Sequence, residues 1–161
     1  MIVVTGTSVV LNLCCLHQEA LLPAIFGAVL APPSVMSEFQ RLASVAPRFF
    51  GLTFPAFIEI TAATQAVPAL VQNQRLHDGE RDALSLAAEV KADAVLMDER
   101  AGRTAAASLG LQSIGILGVL IQAKSLGLVP AIEPLVDCLQ SKALIWIAPA
   151  LRRQVLSTAG E

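Results

Sequence analysis

A chain of 161 residues with a net charge of −2 has the length of one domain and can bury a core, and 55% apolar against 15% charged residues excludes a disordered chain. Its Lys and Arg are spread rather than clustered, which excludes a broad basic face for duplex nucleic acid, so any nucleic-acid contact has to be local and metal-assisted. Cys14, Cys15 and the remote Cys138 give neither zinc-ligand spacing nor a disulfide framework and read as buried small apolar residues.

In chain order, Ile2-Val3-Val4-Thr5 reads as a β-branched strand that stops at Gly6, and Thr7 and Ser8 can cap a helix running on through Leu13. No basic segment precedes the strand, so no secretory signal is expected and a cytoplasmic setting is the default. No GxGxxG or GxxxxGK[ST] pattern follows it, and GxSxG is absent, which argues against dinucleotide and hydrolase sites. His17, beside Gln18 and Glu19, reads as solvated. The apolar stretch 20–33 contains Pro23 and is too short to span a bilayer. Pro32-Pro33-Ser34 suits the first turn of a helix over 34–43 that carries Glu38, for which an ordinary surface position is the alternative. A Phe- and Pro-rich connection follows over 44–55. Residues 56–74 read as helix interrupted by Pro68, with Glu59 lacking an acidic partner.

The stretch 77–103 holds the chain's best-placed carboxylates. Asp78 can cap a helix over 80–90 whose Ala83, Leu84, Leu86, Ala87 and Val90 form an inward face. That helix carries the chain roughly 15 Å away from Glu80, at about 1.5 Å per residue. A strand over 93–98, at about 3.3 Å per residue, brings it back. Glu80 and Asp98 thus return to one level, at the carboxyl end of a strand where open α/β sheets bind ligands. Two converging carboxylates suggest a hard-cation site; the structural alternative is a Glu favoured by a helix dipole and an Asp capping the next helix. A helix over 99–110 stopped by Gly110, a strand over 111–114, and helices over 115–127 and 131–141 come next. A last strand over 143–147 precedes an amphipathic helix with Arg152 and Arg153. Short strands alternating with helices predict an α/β domain with a mainly parallel sheet, and the apolar content predicts a homo-oligomer.

The strand–turn–helix opening, the Pro32-Pro33-x-x-x-x-Glu38 helix, Gly79-Glu80-x-x-Ala83-Leu84-x-Leu86-Ala87 and Leu96-Met97-Asp98-Glu99-Arg100 together resemble a PIN-domain family of prokaryotic proteins, similar to the VapC-like toxins. Gly115-Ile116-Leu117-Gly118-Val119-Leu120-x-x-Ala123-Lys124 and the closing Ala159-Gly160-Glu161 extend the resemblance over nearly the whole chain. It implies one domain over 1–161 with a three-layer α/β/α fold and an acidic ribonuclease site for Mg²⁺ or Mn²⁺. Asp98, Glu80 and Glu38 would be the metal-binding and catalytic acids. Thr7, Ser8, Arg100 and Arg103 would meet RNA, with solvated helix positions as the alternative for the arginines. A small antitoxin-like partner and a homodimer or higher homo-oligomer are implied as well.

Two positions depart from that pattern. The acid expected after the first strand falls on Gly6 in Thr5-Gly6-Thr7-Ser8, and a Gly-Thr-like string falls on Gly115-Ile116, where the hydroxyl is lost. Glu99 is a weak substitute, because consecutive residues of a strand face opposite ways. The sequence therefore supports a metal-dependent ribonuclease with a depleted site, and beside it a degenerate module that binds RNA or protein without cutting.

Overall fold

The fold is that of a computed structural model describing residues 1–161. Strand β1 (Ile2–Thr5) leads through Gly6 into α1 (Thr7–Cys15) and α2 (Leu21–Phe26), after which β2 (Ala28–Ala31) and α3 (Pro33–Val45) follow. A 3₁₀ turn at Pro47–Phe49 precedes β3 (Glu59–Ile60), α4 (Pro68–Val71), α5 (Asp78–Glu89) and β4 (Ala94–Leu96). The chain continues with α6 (Arg100–Ser108), β5 (Ser113–Ile114), α7 (Ile116–Ser125), α8 (Glu133–Ser141) and α9 (Pro149–Thr158). The strands form one sheet in the order β3-β2-β1-β4-β5, with every pair parallel.

Buried on both faces, a parallel strand reads as a continuous β-branched run, and its side chains divide between two cores. Val3, Val29, Ala31 and Leu96 pack on the face covered by α1, α2, α3, α7, α8 and α9. Val4, Leu30, Val95 and Met97 pack on the other, under α4, α5 and α6. The expected three-layer α/β/α architecture is present, and the sheet is wholly parallel. No helix is long and apolar enough to cross a membrane.

Several expectations are corrected. Residues 56–74 are not a helix: the two-residue β3 extends the sheet beside β2, and Pro68 opens only one turn of helix. The apolar run after Pro23 divides at Gly27, whose φ of 78° ends α2 and lets β2 begin. The segment 143–147 alternates inward and outward as a strand would, yet pairs with no strand. Asp78 lies within the first turn of α5, where it pairs with Arg81 at 2.9 Å, and His77 takes the cap position. Of the cysteines, only Cys14 is buried, and burial pushes its thiol up to about 12; Cys15 and Cys138 are half-buried.

Candidate active site

The chain leaves β1 towards one side of the sheet for β2 and β3, and later lays β4 and β5 on the other. Strand order therefore reverses between β1 and β4, the place where parallel sheets open a ligand crevice. Thr5 is paired with Leu96 there, and the Gly6 amide donates to the Leu96 carbonyl at 2.8 Å. Gly6 and Asp98 consequently leave neighbouring strand ends on the same edge.

The candidate acids come from separate elements, Glu38 from α3, Glu80 from α5 and Asp98 from the end of β4. Thr7, at the first turn of α1, donates through Oγ1 to Glu38 Oε2 on α3 at 3.2 Å. Glycine at 79 lets the start of α5 close on the same pair: a Cβ there would stand 3.0 Å from Glu38 Oε2 and 3.6 Å from Thr7 Oγ1. Glu80, one residue on, is 9% exposed, and its Oε2 is enclosed without a hydrogen-bond partner. A Cβ on Gly102 of α6 would come within 3.5 Å of that oxygen.

The two oxygens of Asp98 have different fates. Oδ1 accepts the Ile116 amide at 2.8 Å and so caps α7, which begins there; Oδ2 is buried without a partner. The helix that Asp98 caps is therefore α7 and not α6, which follows it directly. Burial above all raises the Asp98 carboxyl to about 6, with the Glu99 charge adding to the shift and the Ile116 amide and Arg103 opposing it. Burial, then Glu99, also raises Glu80, while His77 pulls the other way.

Two cavities open beside Glu38 and Asp98, sharing Ser8 and Asn12 of α1, and Glu80 lines neither. One, of about 270 Å³, is walled by Thr7, Glu38, Glu99 and Arg48. The other, of about 360 Å³, contains Asp98, Arg103 and Trp146. Ser8 Oγ is buried and unpartnered between them. Arg100 is exposed and lines neither cavity, so of the two expected arginines only Arg103 is brought to Asp98. Asn12, Arg48 and Trp146 carry no mark in the sequence reading. Asn12 was findable, since it stands four residues after Ser8 on one helix face. No three His, Cys, Asp or Glu side chains stand close enough together to hold one metal ion.

Residues 2–161 match the model of the family DUF3368, described as a PIN domain. The chain belongs to the PIN-domain family. Its fold is similar to that of a PilT N-terminus domain protein, SSO1118, from the hyperthermophilic archaeon Sulfolobus solfataricus P2. That likeness has 16% identity and a TM-score of 0.52, and it covers 74% of this chain and 90% of the other. No curated protein matches the sequence. As a PIN domain the chain is a nuclease-like module of a class that generally depends on divalent metal and typically binds RNA.

Within this PIN domain Gly6 has φ −81° and ψ 177°, an extended conformation open to any residue. A Cβ there would meet the Leu96 carbonyl oxygen at 3.3 Å and Met97 Cε at 3.7 Å, so a side chain enters with a shift of a few tenths of an ångström. Glycine at this position is thus no demand of the backbone. Gly115 is a different case: a Cβ would lie 2.5 Å from Asp98 Oδ1 and would displace the carboxylate from the Ile116 amide.

Proposed function

We propose that this PIN domain, a single domain over residues 1–161, is a divalent-metal-dependent endoribonuclease with a depleted acidic site. One observation carries the reading: Glu80 Oε2 and Asp98 Oδ2 are both buried without a hydrogen-bond partner. A buried carboxylate oxygen left unpaired costs about 1–3 kcal/mol or more, so two on one edge of a sheet call for an occupant. A hard cation supplies what both oxygens lack.

The donor set fits such an ion in a particular way. Three acidic side chains do not close around one point, so the protein supplies few ligands and water supplies the rest, as Mg²⁺ and Mn²⁺ sites built on one or two carboxylates allow. A bound ion would supply Lewis acidity to a phosphate and to the attacking water. The remaining work falls to the chain. The Ile116 amide fixes the orientation of Asp98, leaving Oδ2 free, and Thr7 holds Glu38 at the cavity wall. Arg103, beside Asp98, takes the RNA phosphate in a charge-assisted contact. Mg²⁺ or Mn²⁺ as the ion, a cytoplasmic toxin role with a small antitoxin partner, and a homodimer or higher homo-oligomer complete the reading. The toxin role rests on the resemblance to VapC-like toxins. The homo-oligomer rests on the high apolar content of the chain.

A module that holds RNA without cutting is the second reading, favoured by Gly6 and by the lack of a third converging acid. Incubation of single-stranded RNA with the chain and Mn²⁺ separates the two. We expect cleavage that stops with EDTA, Asp98→Asn or Glu80→Gln and accelerates with Gly6→Asp. RNA that is bound but never cut, except by Gly6→Asp, supports the second reading. Cleavage that survives Asp98→Asn contradicts both.

A further inference from the structure

The segment that alternates like a strand but has no strand partner presents the chain's single tryptophan. Ala143 and Ile147 are buried and pin its ends, and Leu144, with φ 57°, turns the backbone outward after α8. Trp146 is left 82% exposed, an expensive placement for the largest apolar ring unless something covers it. Its indole borders the cavity of about 360 Å³ that also holds Asp98 and Arg103. That volume lies at the small end of the roughly 300–1,000 Å³ range of small-ligand sites. The lining of the cavity is mixed: Ile116, Leu139 and Ile147 are apolar, and Ser8, Asn12, Asp98 and Arg103 supply its polar groups. Arg103 makes no ion pair within the chain, whereas Arg152 is engaged with Asp137 and Glu133. A flat aromatic surface, apolar walls and an uncommitted guanidinium fit one kind of occupant, an unpaired base followed by its phosphate.

We propose that Trp146 and the cavity between it and Asp98 form a stacking subsite for one unpaired nucleobase of single-stranded RNA, with Arg103 taking the adjoining phosphate. The inference rests on the nuclease reading of Asp98 and adds to it the residue that stacks a base; a base paired in a duplex has no free face to stack. Ser8 and Asn12 are within the same cavity to receive polar base edges.

With one Trp and no Tyr, the intrinsic fluorescence of the chain is that of Trp146. The test titrates the full chain carrying Asp98→Asn, so that nothing is cut, with a short oligoadenylate, with the same strand in a duplex, and with inorganic phosphate. Saturable quenching by the single strand alone is expected. Trp146→Phe should keep the affinity for labelled oligoadenylate, and Trp146→Ala should bind it roughly tenfold more weakly. The proposal is overturned if labelled RNA saturates the protein with no change in emission, if phosphate alone reproduces the quenching, or if no RNA binds. It is overturned as well if emission shifts to the blue with protein concentration alone, since a second copy then covers the indole. The two levels fail separately. Quenching by RNA in a chain whose parent neither binds Mn²⁺ nor cuts leaves the stacking subsite and removes the nuclease reading. Cleavage with an unchanged KM in Trp146→Ala does the reverse.

Discussion

Asp98 holds two jobs in one carboxylate. Oδ1 is committed to the fold through the Ile116 amide, and Oδ2 is held in reserve, buried and unpaired. Because burial raises its carboxyl to about 6, the folded chain holds the Asp98 proton more tightly than the unfolded chain does. Stability from this group is therefore greatest below the ordinary Asp range and declines as pH rises, with the full penalty present above about 6. For the metal-free chain we predict a loss of about 1–2 kcal/mol from this source between about pH 5 and 7.5. Asp98→Asn should flatten that slope while keeping an acceptor for Ile116, measured as the difference between the two proteins' urea midpoints at each pH. Parallel slopes would show that the carboxylate is not confined as described. Asp98→Ala, which relief of repulsion alone would favour, is a less clean probe because it also strips the cap from α7. The same proton competes with a cation, so metal affinity should fall on acidification.

At the scale of elements, close approach at glycine sets the site. Gly102 lets α6 lie against the end of β4 beside Glu80, and a Cβ there would overlap the Met97 sulfur. Helix propensity favours Gly102→Ala by about 1 kcal/mol, but overpacking against fully buried Met97 costs about 1–3 kcal/mol. A lower urea midpoint and a weakened site are predicted together; a midpoint raised by the full propensity gain would show that α6 can back away. The sequence made this unit legible because the run from Glu80 to Asp98 is local, so helix and strand lengths alone return the two acids to one edge. Residues 143–147 misled for a physical reason: alternation records which side chains are buried, and it does not record whether a neighbouring strand supplies hydrogen bonds. Glu99 lines a different cavity from Asp98. It lies just past β4, where the chain turns into α6, and strand alternation no longer governs it. Its charge raises both Glu80 and Asp98, and it shares a cavity wall with Glu38. Trp146 and Arg48 were invisible because their contacts with the site come from distant parts of the chain.

At the scale of the whole molecule, the parallel sheet makes a crevice whatever the loops contain, because strand order reverses between β1 and β4. On the proposed reading, the acids at this edge are those of a PIN nuclease, and Gly6 is where one of them is missing. The central claim is that the two unpaired oxygens of Glu80 and Asp98 are cation donors. Calorimetric titration with Mn²⁺ of the chain, Gly6→Asp and Asp98→Asn tests it most directly. We predict weak, saturable binding by the chain, roughly tenfold tighter binding by Gly6→Asp as ligand charge is restored, and loss of binding in Asp98→Asn. The same binding heat in the chain and in Asp98→Asn, or none in either the chain or Gly6→Asp, would contradict it.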